Sequence, residues 1–215
     1  MTRKVRPGAS VPTTTRGKRT KAALAQAGRE LLEERGFPET GVDEVSRRAG
    51  VSHGTFYTHF ESKEALLREV AHTVVGEMLA AILLGPGISS DPYERIYATN
   101  RQYLASWRRC SRIIRMVDQM SGAGEEYRQL MIEMREVFVS RGAEGIRKLQ
   151  DARLADPALN PRLTAVALGA MVEQVAHVWL DLGEEFAEEE VVDHLTRLWA
   201  GAIGLKVPSN HSVSE

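Results

Sequence analysis

Apolar residues recur three or four positions apart through most of the chain, which is the spacing of one face of an α-helix. The first such pattern runs from Ala22 to Leu32, and Gly36 follows it as a C-terminal stop. It predicts a first helix over residues 18–35. No segment alternates apolar and polar residues with a period of two between turn signals, so no strand is predicted.

Two short helices joined by a tight turn are predicted next. Thr40 and Asp43 have the spacing of a capping box, and Gly50 is the stop of the helix that they would open. Ser52 is the candidate N-cap of a third helix that runs through Phe60. A glycine turn where two helices come close is typical of a helix-turn-helix.

Longer helices are predicted for the rest of the chain. Ser62 is the candidate cap of a fourth helix from Lys63 to about Leu84, and the Gly-Pro-Gly run at 85–87 interrupts the pattern after it. Further helices are expected at about 91–108, 110–121, 125–155, 161–182 and 188–205. The predicted fold class is therefore all-α, with about nine helices.

Composition excludes several classes of protein. The 215 residues are 43% hydrophobic and 27% charged, which is a globular composition. The longest unbroken apolar stretch, Met78 to Leu84, is far shorter than the roughly 18 residues of a membrane span, so a transmembrane protein is not expected. Cys110 is the only cysteine, which rules out an internal disulfide and fits a reducing cytoplasm. The basic N-terminus is followed by no apolar segment, so secretion is not expected either.

Charge is distributed unevenly although the net charge is only −1. Residues 1–60 hold 11 Lys and Arg against 6 Asp and Glu, whereas residues 61–215 hold 17 against 23. Residues 1–17 are rich in Pro, Gly, Ser and Thr, contain no acid, and predict a disordered basic arm. The asymmetry indicates a polyanion-binding module on an acidic body, although the arm has the alternative of a solvated tail without a role.

The third predicted helix carries side chains that suit a phosphate-lined groove. Phe56 and Phe60, four residues apart, form its inward face. The remaining residues offer hydroxyls, two imidazoles and a phenol, and none of them is an acid. An acid-free helix face that follows a basic arm favours DNA binding.

A resemblance to the DNA-binding domain of the TetR family of bacterial transcriptional regulators is carried by residues 40–45 and 49–66, which read TGVDEV and AGVSHGTFYTHFESKEAL. It is specific over about residues 18–67 and extends to the rest of the chain only in helix count and length. It implies a homodimer on a double-stranded DNA operator, and a repressor that is released by a small, mostly apolar effector. The implied division is a disordered arm at 1–17, a helix-turn-helix DNA-binding domain at 18–67, an effector-binding and dimerisation domain at 68–206, and a flexible tail at 207–215.

The family motif assigns DNA-binding roles to eight residues of this sequence. Those at positions that touch phosphates or place the recognition helix are Thr40, Ser52, Thr55, Tyr57, His59 and Lys63, and those that approach base edges are His53 and Gly54. Gly41 departs from the usual threonine or serine and removes a hydroxyl. A structural three-helix bundle is the alternative for the whole segment, and packing roles are the alternatives for Tyr57 and His59.

The last two predicted helices are apolar on more than one side, which favours a two-fold dimer seam built from both. The candidate dimer residues are Val175, Trp179, Leu195, Trp199 and Ala202. The alternative is that both helices line the core of one protomer.

Aromatic residues and methionines of the middle helices, with two polar residues of helix 161–182, form a candidate effector pocket. They are Tyr97, Tyr103, Trp107, Met116, Met120, Met134, Phe138, Glu173 and His177. An ordinary core is the alternative for the apolar members, and a solvated edge is the alternative for the polar stripe of Glu173, His177 and Asp181. If the helix at 91–108 continues, four arginines lie on one face of it: Arg101, Arg108, Arg112 and Arg115. This face is either solvated or able to bind an acidic effector.

Sequence patterns of catalysis are weak. The chain has no dinucleotide-binding glycine motif, no phosphate loop and no His-Glu-x-x-His, and Cys110 has no resolving cysteine. A Gly-x-Ser-x-Gly nucleophile elbow is not expected either. We therefore expect no enzyme activity, no cofactor and no metal, and a cytoplasmic location. The rival classes are an architectural DNA binder without a ligand and a small helical enzyme.

Overall fold

The protein is described by a computed structural model, which places residues 14–84 and 89–206. Within these residues it contains eight α-helices and no strand, so the all-α prediction is confirmed. The helices are α1 (Thr15–Glu39), α2 (Val42–Arg48), α3 (His53–His59), α4 (Lys63–Leu84), α5 (Pro92–Met120), α6 (Glu125–Asp151), α7 (Pro161–Ala176) and α8 (Glu188–Ala202). A π-helical turn, His177–Asp181, directly follows α7. Most of the predicted arm, and the predicted tail at 207–215, lie outside the described residues.

Residues 92–120 form a single helix, α5, where two helices were predicted at 91–108 and 110–121. No Gly or Pro occurs between Tyr93 and Met120, and helix-compatible residues continue through Cys110. A helix ends where a breaker or a cap stops it, and this segment has neither. The predicted break was wrong, and the described residues contain eight helices rather than nine.

The two ends of α1 also differ from prediction. Thr14 caps its start by accepting a hydrogen bond from the Gly17 amide, so helix begins inside the segment that was predicted to be disordered. Near the other end, Gly36 has a φ of 81°, in the left-handed region that glycine adopts most easily. The chain bends there and returns to helical geometry up to Glu39.

The predicted capping box at Thr40 and Asp43 was wrong. Thr40 is the C-cap of α1, and its hydroxyl donates a 2.7 Å hydrogen bond to the Gly36 carbonyl. Gly41 is the N-cap of α2 and provides no side-chain cap hydrogen bond. The left-handed Gly36 explains the difference, because it turns the chain so that Thr40 closes the helix before it.

The chain divides into two compact units. The first contains the described residues up to Val74 together with Arg112–Met131, and its buried side chains include Leu24, Leu31, Val45, Phe56 and Leu67. The second contains Val75–Ser111 and the described residues from Ile132 onward, and its core includes Tyr93, Ile146, Leu168, Ala200 and Ile203. The sequence-based domains at 18–67 and 68–206 stay a prediction.

Exposed apolar residues occur on each of the last two helices of the second unit. We call them together the α7–α8 stripe, and they are Leu163, Val166, Ala167, Ala170, Leu198 and Ala202. The α7 members follow helical spacing, so they lie on one side of that helix. The opposite side of α7 carries Ala165, Leu168 and Val172, which are buried. Each of these two helices therefore uses one apolar side in the core and leaves another exposed.

One helical segment passes a membrane-span test that rests on length and composition. Pro161–Asp181 is 21 residues long and apolar enough, and 28% of its apolar window is buried. A count of unbroken apolar residues does not detect this segment, because single polar residues interrupt it. Core helices of water-soluble proteins pass the same test, so it is no evidence of a membrane span.

Candidate nucleic-acid interface

A tight turn at Gly50 joins α2 to α3 in the first unit. Gly50 has a φ of 68°, which a residue with a side chain adopts only with strain. The Val51 amide donates to the Ser46 carbonyl at 2.9 Å, and the Gly50 amide donates to the Arg47 carbonyl at 3.1 Å. These two bonds close the end of α2. Only Val51 and Ser52 then separate the Gly50 turn from His53, where α3 begins. The arrangement is a helix-turn-helix.

The start of α3 is capped as predicted. Ser52 is its N-cap and accepts a 3.2 Å hydrogen bond from the Thr55 amide. The Ser52 and Thr55 hydroxyls are also 2.8 Å apart. The inward face is confirmed as well, because Phe56 and Phe60 are buried with ring centroids 5.6 Å apart. The cap and the two rings fix both the start and the rotation of this short helix.

The other side of α3 carries the remaining candidate DNA-binding residues. Ser52, His53 and Gly54 are exposed, whereas Thr55, Tyr57 and His59 are half-buried. A Cβ placed on Gly54 would have only the Ser52 hydroxyl near it, at 4.0 Å. The exposed end of the helix is therefore small in cross-section at Gly54, and the free protein has room for a larger residue there.

Asp43 is a residue of this surface that sequence reasoning missed. Its Oδ1 pairs with Nδ1 of His53 across the turn, so the exposed side of α3 has a carboxylate beside it although α3 itself has none. The His53 ring also lies against the Tyr57 ring, with centroids 5.1 Å apart. A ten-residue separation gives no helical-spacing signal, so only the geometry of the turn reveals this pair.

Lys63 has a partner inside the protein that the sequence did not indicate. Its Nζ donates a 2.8 Å hydrogen bond to the Phe37 carbonyl and lies 4.2 Å from the centroid of the Phe37 ring. The side chain thus joins the start of α4 to the end of α1. An ammonium group has two further donors, so a phosphate contact stays a prediction, now alongside a packing role.

Thr40 does not fit the predicted role of a direct phosphate contact. Its residue surface is 1% exposed, and its hydroxyl proton is used on the Gly36 carbonyl. A buried hydroxyl that has already donated cannot reach a phosphate without rearrangement of the α1 end. Its hydroxyl caps α1, and the other role that the resemblance implies for Thr40, placing the recognition helix, stays a prediction.

Residues 50–54 read Gly-Val-Ser-His-Gly, which matches the Gly-x-Ser-x-Gly pattern of the nucleophile elbow. That elbow requires a strand before the serine, and here the helix α2 precedes it. The Ser52 hydroxyl caps α3 and lies 2.8 Å from the Thr55 hydroxyl. The pattern is therefore the turn of the helix-turn-helix and not a catalytic site.

Ion pairs within the first unit use up part of its basic charge. Arg48 donates to Glu34 at 2.6 and 2.9 Å, and this pairing lowers the pKa of the Glu34 carboxyl below its ordinary value. Lys21 pairs with Glu69 at 2.7 Å. These two basic side chains are therefore less available to phosphates, although the pairing leaves the net charge unchanged.

The candidate effector residues do not all fall in one unit. Met116 and Met120 belong to the first unit, and the other seven belong to the second. In the second unit, the Tyr103 ring contacts both Trp107 and Phe138, with centroids 6.0 and 5.8 Å apart. Tyr97 is half-buried and Met134 is buried. The sequence had no means to tell which methionines would fall in the same unit as these rings.

The polar stripe of the second unit is partly buried and paired. Asp181 accepts a 3.1 Å hydrogen bond from the Trp107 indole and lies 3.2 Å from Nδ1 of His177. Glu173 pairs with Arg135 at 3.1 Å. Burial raises the pKa of the Tyr103 hydroxyl, and the nearby Glu173 carboxylate adds to this rise. These contacts do not fit the solvated edge that was the alternative for this stripe.

The predicted arginine face is divided between different partners. Arg112 donates to the Glu33 carbonyl at 2.7 Å in the first unit. In the second unit, Arg108 pairs with Glu188 at 3.2 Å and lies over the Trp179 ring. The continuous helix that this face required is present, but these two arginines are committed within the protein rather than free for one acidic effector.

The candidate dimer residues have unequal exposure. Leu195 is 2% exposed and Trp179 is also buried, with its indole donating to the Phe186 carbonyl at 3.0 Å. Both side chains lie inside one protomer, so these two assignments are corrected to core positions. Val175 and Trp199 are half-buried, and Ala202 is exposed.

Metal ligation has no visible site in the described part of the chain. No group of three or more His, Cys, Asp or Glu among residues 14–84 and 89–206 could hold a metal ion.

Comparison with known proteins places this helix-turn-helix in a family. Residues 24–70 match the family model of bacterial regulatory proteins, tetR family. The chain is 33% identical over 72 residues to the uncharacterized HTH-type transcriptional regulator YvdT of Bacillus subtilis, a match that spans 34% of this chain and 36% of that protein. It is 26% identical over 215 residues to the HTH-type transcriptional regulator EthR of Mycobacterium tuberculosis, covering 94% of this chain and 98% of that one.

Solved structures agree in fold. A crystal structure described as a TetR-family regulator, from Rhodococcus sp., superposes with a TM-score of 0.75 at 22% identity, covering 86% of this chain and 99% of that one. The fold and the site together define a DNA-binding transcriptional regulator of the helix-turn-helix class. Residues 24–70 carry the DNA-binding domain of the TetR family, and the relatives named above are transcriptional regulators.

Proposed function

We propose that this regulator is a cytoplasmic homodimeric repressor that binds a pseudo-palindromic operator through α3 and leaves it when a small, mostly apolar effector binds. The observation that carries the DNA-binding part is the exposed, capped start of α3 behind the Gly50 turn. The residues proposed to face DNA are Ser52, His53, Gly54, Thr55, Tyr57, His59 and Lys63. Recognition helices of this class place their first residues against base edges in the major groove.

Phosphate contacts on either side of α3 would position it. The start of α1 carries Arg16, Lys18 and Arg19, and its first turn contains no acid. The start of α4 is capped by Ser62, whose hydroxyl accepts from the Ala65 amide at 3.1 Å. Basic side chains and the N-terminal amides of a long helix both suit phosphate oxygens. The proposed DNA-binding domain is residues 18–67, with residues 1–17 as a basic arm.

Operator binding should depend strongly on salt. We expect the purified protein to shift a duplex taken from the DNA that flanks its own gene, and not a shuffled duplex of equal length. With about six to ten phosphate contacts per dimer, affinity should fall by roughly 10³–10⁵ between 50 and 200 mM salt, because binding releases counterions. Fluorescence anisotropy titrations at four salt concentrations measure the slope. Equal affinity for the shuffled duplex would favour an architectural DNA binder instead.

The dimer is proposed to form through the α7–α8 stripe. Leu163 is 67% exposed, and Val166 and Leu198 are exposed as well. Large apolar side chains that are exposed on both helices favour an interface with a second protomer. A two-fold axis would place the same stripe of both protomers face to face, together with the half-buried Val175 and Trp199 and the exposed Ala202.

The effector is proposed to bind in the second unit, within the proposed domain at 68–206. The Tyr103, Trp107 and Phe138 rings provide apolar surface, and the Glu173 and His177 pairs provide polar anchors beside it. Such a mixture is typical of sites for small molecules. The remaining candidates in this unit are Tyr97 and Met134, whereas Met116 and Met120 belong to the first unit and are left out of the proposed site.

Release would follow a population shift between two positions of α4. This helix is continuous from Lys63 to Leu84, and its residues belong to both units. It contains no Pro and the single Gly76, so a tilt at one end would reach the other. Repression itself is supported by analogy. NalD of Pseudomonas aeruginosa, whose structure superposes with a TM-score of 0.66 at 22% identity, is named as a secondary repressor of an efflux pump.

An effector should raise thermal stability and lower operator affinity together. We expect some compounds of an apolar library, with graded fatty acids as one series, to raise the melting temperature and to release the operator in proportion. The two effects are linked, because a ligand shifts the equilibrium only by its differential affinity for the two states. Thermal shift and anisotropy on the same plates measure both. Strong stabilisers that leave operator affinity unchanged would contradict the mechanism.

A further inference from the structure

We propose that Asp43 fixes which nitrogen of His53 faces the major groove, so that His53 selects a base with an exocyclic amino group, adenine or cytosine. The inference deepens the proposed operator binding through α3 and rests on it. It concerns a positioning residue, Asp43, and the base reader that it orients.

The geometry of the pair is set by the turn between α2 and α3. Asp43 lies in the first turn of α2 and His53 is the first residue of α3. Asp43 Oδ1 meets Nδ1 of His53, which leaves the opposite edge of the imidazole, with Nε2, directed away from α2. The Tyr57 ring lies against the imidazole and limits its rotation. The side chain of Asp43 is 87% exposed, so packing in the core does not account for its place.

The chemistry of the pair determines the tautomer of His53. A carboxylate accepts hydrogen bonds and donates none, so the proton between the two groups belongs to Nδ1. A neutral imidazole has one donor and one acceptor nitrogen, and the bond made by one nitrogen sets the state of the other. Nε2 of neutral His53 is therefore an acceptor.

An acceptor at this position distinguishes bases in the major groove. Adenine offers its N6 amino group there and cytosine its N4 amino group, whereas guanine and thymine offer carbonyl oxygens. The first residues of a recognition helix are the ones that contact base edges. Nε2 of His53 would thus accept a hydrogen bond from the amino group of adenine or cytosine. At guanine or thymine, Nε2 and the carbonyl oxygen would both be acceptors, and no hydrogen bond could form between them.

Asp43 should affect affinity and selectivity in opposite directions. Its charge is repelled by the phosphates, so it lowers affinity for every sequence. Its hydrogen bond to His53 raises discrimination at one base pair. Asp43→Asn removes the charge and allows both tautomers, because an amide both donates and accepts. A residue that only stabilised the fold would not change these two properties with opposite sign.

The base pair that His53 contacts is identified first, as the position at which His53→Ala abolishes the sequence preference. The test then compares four duplexes that differ only at this base pair of each half-site. Wild type is expected to favour adenine or cytosine there by about five- to tenfold. Asp43→Asn should bind all four more tightly and discriminate by less than about twofold. Glu44→Gln is the matched control, because it removes one charge from the same turn, where Glu44 pairs with Arg47 at 2.8 Å. It should keep the wild-type preference.

A second measurement needs no DNA. Long-range ¹H–¹⁵N spectra of the free protein at pH 8, assigned with His53→Ala, should show the proton of His53 on Nδ1, and Asp43→Asn should move it toward Nε2. Three results would each overturn the inference: a proton on Nε2 of His53 in the wild type, a wild-type preference for guanine or thymine, or an unchanged preference in Asp43→Asn. If the wild-type protein selects no sequence at all, the proposed function itself fails, and the base selection fails with it.

Discussion

Leu163→Glu is expected to dissociate the proposed dimer and leave each protomer folded. Leu163 is 67% exposed in one protomer and belongs to the α7–α8 stripe, so the change disturbs no core packing. In a two-fold dimer the substitution occurs twice, and each carboxylate loses its water without gaining a partner. A cost of about 2–4 kcal/mol per site would raise the dimer dissociation constant by roughly a thousandfold or more. Sedimentation velocity measures the mass, and circular dichroism checks the helices.

Leu154→Glu is the control for this experiment. Leu154 is 46% exposed, in the second unit like Leu163, but lies between α6 and α7 outside the stripe. It should leave a dimer with normal operator affinity. Loss of the dimer by Leu163→Glu should also weaken operator binding by about a hundredfold or more, because the second half-site then binds independently. A dimer of unchanged mass for Leu163→Glu would place the interface elsewhere.

Local signals explain the parts of the fold that were predicted correctly. The Ser52 cap, the Phe56 and Phe60 face, and both bounds of α4 depend on neighbours within one or two helical turns. One local error has a different cause. Thr40 was assigned to the wrong helix because the backbone conformation of Gly36, which the sequence alone does not determine, decides which helix end Thr40 caps.

The exposed sides of the helices were harder to predict than the helices themselves. The helices α7 and α8 are apolar on two sides, and the sequence cannot tell which side faces the core of the same protomer. Leu195 and Trp179 turned out to face it, whereas Leu163 and Leu198 do not. The Asp43–His53 pair was missed for a related reason, since it joins two helices across a turn whose geometry no periodicity describes.

Gly54→Ala is expected to stabilise the protein and abolish tight operator binding. Gly54 lies inside α3 with helical geometry, and an added Cβ would have only the Ser52 hydroxyl near it, at 4.0 Å. Alanine is the better helix former by about 0.5–1 kcal/mol, which corresponds to a rise in melting temperature of roughly 1–4 °C. If α3 enters the major groove with this residue against the DNA, the methyl group holds the helix away. Operator affinity should then fall by about tenfold or more, since several base and phosphate contacts lengthen together.

Gly76→Ala makes the same change at a matched position. Gly76 is exposed inside α4, and a Cβ there would meet nothing within 4 Å. Both variants should therefore melt at a higher temperature than wild type in differential scanning calorimetry, and only Gly54→Ala should lose operator affinity in anisotropy titrations. Because a stabilised protein cannot owe its lost affinity to unfolding, this combination locates the DNA on the Gly54 side of α3. Normal operator affinity in Gly54→Ala would mean that this side of the helix does not approach the groove closely, and the proposed set of DNA-binding residues would have to move to another surface of the first unit.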